Sequence, residues 1–160
     1  MKSILRKKQT LVGKNSFNNN KIYYKFKKNK IMKNSIFTWI IKIIVVVILV
    51  QTLYFKFTGA EESVYIFTKL GLEPFGRIGS GIVELIASIL ILIPRTTIFG
   101  ALMAAGTMAG AIFSHLLILG IVVKNDGGTL FTLAIITLLC SLLLIYKNKA
   151  QIPNLLKFKI

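Results

Sequence analysis

Two ionisable residues, Glu84 and His115, lie inside long apolar stretches of this 160-residue chain. An ionisable side chain in hydrocarbon is costly, so such a residue usually has a partner or a function. A buried carboxyl group can exchange protons, and an imidazole can relay a proton or hydrogen-bond a carbonyl group. This pair is therefore the first candidate for chemistry in the sequence.

Four apolar stretches are long enough to cross a membrane, because a spanning helix needs about 20 mostly apolar residues. They lie at residues 36–55, 76–93, 98–123 and 129–146. The predicted fold class is all-α: an integral membrane four-helix bundle formed by residues 34–150, with basic tails at 1–33 and 151–160. This division leaves no room for a separate soluble domain.

Charge is distributed unevenly along the chain, whose formal net charge is +16. Eleven Lys and Arg and no acidic residue lie in 1–33, and four more Lys lie in 147–160. The loops at 56–77 and 124–128 hold four of the five acidic residues. The positive-inside rule therefore predicts a multi-pass protein of the plasma membrane with both termini in the cytoplasm. No aromatic-basic unit accompanies the charge, so we expect the lipid bilayer as partner and no nucleic acid.

The stretch at 1–33 is rich in Lys and Asn and is predicted to be disordered or loosely bound to the membrane surface. Met32 begins a short basic lead into the first span, so Met32 is an alternative start to Met1. A signal peptide cleaved near Thr58-Gly59-Ala60 is disfavoured, because its basic lead and its apolar run are both too long.

The second and third spans must position Glu84 and His115. Counting at 1.5 Å per residue puts both side chains about 12 Å below the outer surface. The short turn at 94–97 makes the two spans antiparallel neighbours, so we predict a direct or water-bridged contact between the two residues. Arg77 lies on the same helix face as Glu84, nearer the surface, and is expected to compete with His115 for the carboxylate.

Further polar residues are expected around the outer mouth of this site. The candidates for a ligand or proton site are Glu84, His115, Arg77, Lys56, Gln51, Tyr54 and Asp126. A short interfacial helix at 61–70 is predicted in the first outer loop, with Thr58 and Glu61 at capping-box spacing. At the inner end of the first span, Lys42 is expected to extend to the headgroups.

Small residues follow one another at steps of four in the third span, at Gly106, Gly110 and Ser114. This ridge predicts close helix packing. The single cysteine, Cys140, cannot form an intramolecular disulfide or a CxxC pair, and it is interpreted as a packing residue. No metal site is predicted from one carboxylate and one imidazole, and no second His or paired thiol supports haem or iron–sulfur ligation.

Several local patterns together are quite specific. They are Lys56-Phe57-Thr58-Gly59, Gly71-x-Glu73-Pro74, Arg77, Glu84 and Ser114-His115-Leu116. With these patterns, residues 42–153 resemble the DoxX family of small four-helix bacterial membrane proteins. The family takes its name from a subunit of an archaeal quinone-linked thiosulfate oxidoreductase, and many members have no assigned activity. The resemblance therefore implies a quinone as a cofactor only by analogy.

Four interpretations stay open. Glu84 and His115, with or without Arg77, fix the helix register and have no other role. Alternatively, the protein is a redox-associated subunit with a polar outer-leaflet pocket for a quinone or another small apolar molecule, working with a membrane oxidoreductase. It is otherwise a carrier for a small molecule or for protons that acts as a homo-oligomer, or a structural partner of another membrane protein. None of these readings gives the chain a catalytic activity of its own.

Overall fold

The computed structural model describes residues 35–149, and between these residues the chain is helical and contains no strand. The unit from Thr38 onward is compact, and of the unit before it only residues 35–37 are described. The helices are α1 (Ser35–Thr58), α2 (Glu61–Lys69), α3 (Phe75–Leu92), α4 (Thr97–Ser114), a π-helical turn (His115–Leu119) that continues α4, and α5 (Thr129–Asn148). The predicted tails at 1–33 and 151–160 lie outside the described residues.

Four of these helices are long and apolar enough to cross a membrane: α1, α3, α4 with its π-helical turn, and α5. The predicted all-α, four-helix membrane fold is thereby confirmed. Three of the four predicted spans agree with the helices to within three residues at each end. The third span ends at Leu119 rather than at residue 123, because Gly120 takes a positive φ of 84° that stops the helix.

The bundle is held together by a core of mostly small and β-branched side chains, while larger apolar side chains face outward. Large apolar side chains such as Phe113 and Leu117 are 63% and 78% exposed, as expected for helices that face lipid. α4 lies in the middle and packs against both α3 and α5. The buried core cluster consists of Ile41, Val45, Leu49, Ala87, Ile91, Ala101, Ala104, Met108, Ala134 and Leu144.

α3 and α4 approach each other closely at Gly100. A Cβ atom there would lie 2.6 Å from the carbonyl oxygen of Ala87 and 2.7 Å from the backbone nitrogen of Ile91. The predicted packing ridge is wrong in position, because a Cβ atom at Gly106 or Gly110 would meet no atom within 4 Å. The small residues in the C-terminal half of α4 therefore leave space, whereas the tight helix contact is near its N-terminal end.

Lys42 does not extend to the surface as expected, since it is only 4% exposed. Its Nζ donates a hydrogen bond of 2.7 Å to Oγ1 of Thr97, at the start of α4. The ammonium group also lies 5.1 Å from the centre of the Trp39 ring, within cation–π range. This contact joins α1 to the α3–α4 turn at the end of the bundle opposite to Glu84.

The short helix α2 forms where it was predicted, but the predicted capping box is wrong. Ala60 is the N-cap residue of α2 and makes no side-chain cap hydrogen bond. The hydroxyl of Thr58 instead donates to the carbonyl oxygen of Tyr54, within α1. Thr58 is therefore the last residue of α1. The chain turns after it at Gly59, whose φ is 67°, and α2 begins two residues later, at Glu61.

Candidate functional site

One end of the bundle contains a cavity of about 560 Å³, here called the end cavity. Every described helix contributes to its wall, including α2, which lies across it. Most of the lining side chains are apolar. The polar lining residues are Gln51, Thr52, Lys56, Glu62, Ser63, Ser80, Glu84, Thr107, Ser114, His115, Asp126 and Thr129.

Glu84 is 2% exposed and receives two hydrogen bonds from α1. Nζ of Lys56 donates to its Oε1 at 2.6 Å, and Oγ1 of Thr52 donates to its Oε2 at 2.9 Å. Thr52 and Lys56 are four residues apart and so share one face of α1. A carboxylate held by a cation and a hydroxyl group is neutralised and satisfied where it is buried.

Close approach of α1 and α3 depends on a small residue one turn before Glu84. Gly81 is buried, and a Cβ atom there would lie 3.2 Å from Cζ of Phe57 and 3.7 Å from Cβ of Lys56. The missing side chain lets the end of α1 lie against α3. Lys56 can then reach Glu84, which is one turn further along α3.

His115 also lines the end cavity, but it makes no direct hydrogen bond to Glu84. Its Nδ1 is 2.8 Å from the carbonyl oxygen of Gly120, and its ring centre is 5.7 Å from that of Phe131. The π-helical turn that begins at His115 places the imidazole beside this carbonyl group. Such turns are often found at functional sites.

Glu84 and His115 do not make the direct hydrogen bond that was predicted, because the carboxylate pairs with Lys56 and Thr52 instead; a water-bridged contact stays a prediction. Arg77 does not compete for this carboxylate either. Its guanidinium forms an ion pair with Glu73 at 2.7 Å and donates to the backbone carbonyl oxygen of Lys56. Glu84 and His115 both line the end cavity, and their equal depth in the membrane stays a prediction.

The remaining candidates divide into two groups. Gln51 and Asp126 line the end cavity with Lys56. Tyr54 is 68% exposed and packs edge-on against Phe55 instead of lining the cavity. Thr52 was not predicted, although its spacing of four from Lys56 is the sequence signal that would have included it.

Asp126 organises the loop between the π-helical turn and α5. Its Oδ1 accepts hydrogen bonds from the backbone N–H groups of Val123 and Gly128, and its Oδ2 accepts one from Leu130. Burial acts to raise the pKa of this carboxyl group, but the three backbone N–H donors together hold the pKa below its usual range. Asp126 is therefore a structural anion next to the cavity.

Two ion pairs connect the segment that contains α2 to neighbouring parts of the chain. Lys124 donates to Glu61 at the start of α2, and its ammonium lies 5.3 Å from the ring centre of Tyr65. The hydrogen bond and charge of Lys124 lower the pKa of the Glu61 carboxyl group, which is fully exposed. At the other end of the loop, the pair of Arg77 with Glu73 ties the loop to α3.

No group of three or more His, Cys, Asp or Glu that could hold a metal ion occurs within residues 35–149. Cys140 is a free, half-buried thiol on α5. The end cavity is thus a mostly apolar chamber with one buried ion pair, one imidazole and several hydroxyl groups.

The sequence comparisons agree with the architecture. The family model described as DoxX matches residues 37–117, about half of the chain, and this range includes most of α1, all of α2, α3 and α4, and His115. No curated protein and no solved structure matches the chain significantly. With four apolar helices and this match, the chain is a multi-pass membrane protein that belongs to the DoxX family.

Proposed function

We propose that this protein binds an uncharged, mostly apolar small molecule in the end cavity, of which a quinone is the first candidate, as part of a membrane redox system. The observation that carries the proposal is the cavity itself. Its volume of about 560 Å³ lies within the usual range of about 300–1,000 Å³ for small-molecule sites. Such sites are typically apolar with a few polar groups that orient the ligand.

The charges around the cavity support an uncharged ligand. Inside, the charge of Glu84 is cancelled by Lys56. At the mouth, Glu62 and Asp126 disfavour an anion. An apolar ligand gains from burial against the lining, whereas a charged one would lose its hydration inside, where the charge of Glu84 is already paired with Lys56.

We further propose that the cavity lies in the outer half of a plasma membrane, with both termini in the cytoplasm. The loops at the cavity end contain Glu61, Glu62, Glu73 and Asp126, while the turn at the opposite end contains Arg95. This distribution follows the positive-inside rule. A quinone dissolved in the bilayer would then reach the site from the lipid.

Titration of the purified protein in lipid nanodiscs with decylubiquinone tests the proposal. We expect saturable binding and a rise in the unfolding temperature, because a ligand that binds only the folded state stabilises it. Ala111 lines the cavity, so Ala111→Phe should fill it and abolish the response. Leu102→Phe is the matched control, since Leu102 is on the same helix and 52% exposed.

Two results would contradict the proposal. One is the absence of saturable binding to the wild-type protein. The other is equal binding to the wild-type and Ala111→Phe proteins when both unfold cooperatively.

A lipophilic cation such as tetraphenylphosphonium serves as a further probe. Tighter binding of this cation than of the quinone would exclude an uncharged ligand as the preferred one.

A further inference from the structure

The hydrogen-bonding state of His115 follows from its contact with Gly120. Nδ1 lies 2.8 Å from a carbonyl oxygen, which can only accept, so Nδ1 must carry a proton. In the neutral ring, Nε2 then has a lone pair and is an acceptor. Nε2 makes no hydrogen bond to any residue within the described range 35–149, although His115 is only 4% exposed.

Lys56, another polar residue of the cavity lining, is a hydrogen-bond donor instead of an acceptor. Lys56 carries only donors, and its contacts are Oε1 of Glu84 at 2.6 Å and the ring of Phe67, whose centre is 5.9 Å away. An ammonium group has three N–H donors, and the ion pair with Glu84 uses one of them. The side chain remains 14% exposed and lines the cavity, so a ligand oxygen can accept from it.

We infer that the end cavity selects a ligand that donates a hydroxyl hydrogen to Nε2 of His115 and accepts a hydrogen bond from Lys56 through a separate oxygen. The inference rests on the proposed function and adds to it the chemical class of the ligand. Between the two redox forms of a quinone, only the reduced form has hydroxyl groups. The site should therefore prefer the quinol, because a quinone would leave Nε2 of His115 unpaired.

The competing proton acceptor near the ring does not alter this conclusion. The carboxylate of Asp126 is within electrostatic range of His115, but both of its oxygens already accept backbone N–H groups. The carboxylate of Glu84 is occupied by Lys56 and Thr52. Nε2 of His115 is therefore an acceptor that receives no hydrogen bond from residues 35–149, on a side chain that lines the end cavity.

The first test compares decylubiquinol with decylubiquinone under anaerobic conditions, using the protein in nanodiscs. We expect the quinol to bind about tenfold more tightly, the effect of about one net hydrogen bond. In His115→Phe the acceptor is gone, so the preference for the quinol over the quinone should fall to within about twofold. Equal or tighter binding of the quinone to the wild-type protein would overturn the inference while leaving the proposed function intact.

The second test needs no substitution, because His115 is the only histidine in the chain. Protein labelled with nitrogen-15 histidine, and purified without a histidine tag, should show one protonated and one unprotonated ring nitrogen. Quinol should shift the signal of the unprotonated nitrogen, and quinone should leave it in place. A protonated Nε2 in the free protein, or an unmoved signal at saturating quinol, contradicts the inference. If neither ligand binds, the proposed function fails as well.

Discussion

At the scale of single residues, the Lys56–Glu84 pair joins two helices through a buried charge. Glu84 is 2% exposed, and Lys56 supplies its neutralising charge across the α1–α3 contact. Removing one partner of a buried ion pair typically costs about 3–5 kcal/mol, since it leaves an uncompensated charge. Replacing both partners with apolar residues of similar size is often nearly neutral.

We therefore predict that Lys56→Met lowers the free energy of unfolding by about 3 kcal/mol, whereas Lys56→Met with Glu84→Leu lowers it by less than about 1 kcal/mol. Thr52 stays satisfied in the double variant, because its hydroxyl also lies 2.7 Å from the carbonyl oxygen of Leu49. Equilibrium unfolding in mixed micelles measures both values. If the decreases in unfolding free energy of Lys56→Met and of Glu84→Leu alone simply add in the double variant, the two residues are not energetically coupled.

The sequence indicated both Glu84 and His115, which line the same cavity, but it did not identify Lys56 and Thr52 as the direct partners of the carboxylate. Depth along a helix depends only on the rise per residue, so it can be counted from the sequence. The direction in which a side chain points depends on how each helix is rotated, and in lipid the outward face is as apolar as the inward one. The partner of Glu84 therefore required the packed structure, although Lys56 was already among the candidates.

At the scale of helices, the close contact between α3 and α4 is made possible by Gly100. A Cβ atom there would press on the backbone atoms Ala87 O and Ile91 N, at 2.6 and 2.7 Å, which cannot move without shifting α3. We predict that Gly100→Ala lowers the free energy of unfolding by about 1–3 kcal/mol, as for other overpacked cores. Thermal and denaturant unfolding in micelles give this value.

Gly106 provides the matched control on the same helix. A Cβ atom at Gly106 would meet nothing within 4 Å, so Gly106→Ala should be neutral or stabilise the protein by up to about 1 kcal/mol, the helix preference of Ala over Gly. Loss of stability in Gly106→Ala equal to that in Gly100→Ala would mean that α4 packs differently.

The helices themselves were largely predictable, because length and apolar composition alone define a membrane span. The end of α4 was not, since the apolar residues Ile121, Val122 and Val123 continue beyond the turn at Gly120. Val123 is 2% exposed and packs inward from a loop instead of extending the helix. Hydropathy cannot distinguish such a buried loop residue from the last turn of a span.

At the scale of the whole molecule, the charges at the two ends predict which end faces the cytoplasm. Labelling with a membrane-impermeant maleimide on intact cells tests this orientation, in a Cys140→Ser background that removes the only native thiol. Ser63 lies in the predicted outer loop but is 6% exposed, so it is unsuitable as a labelling position. Thr68 and Asn125 are exposed in the α2 and α4–α5 regions and suit the purpose.

We predict that Thr68→Cys and Asn125→Cys react in intact cells, because the acidic loops at the cavity end should face outward. Ser3→Cys, in the basic N-terminal stretch, should react only after the membrane is permeabilised. Reaction of Ser3→Cys in intact cells, with Asn125→Cys protected until permeabilisation, would show the reverse orientation. The end cavity would then open towards the cytoplasmic leaflet, and a ligand would have to enter it from that side.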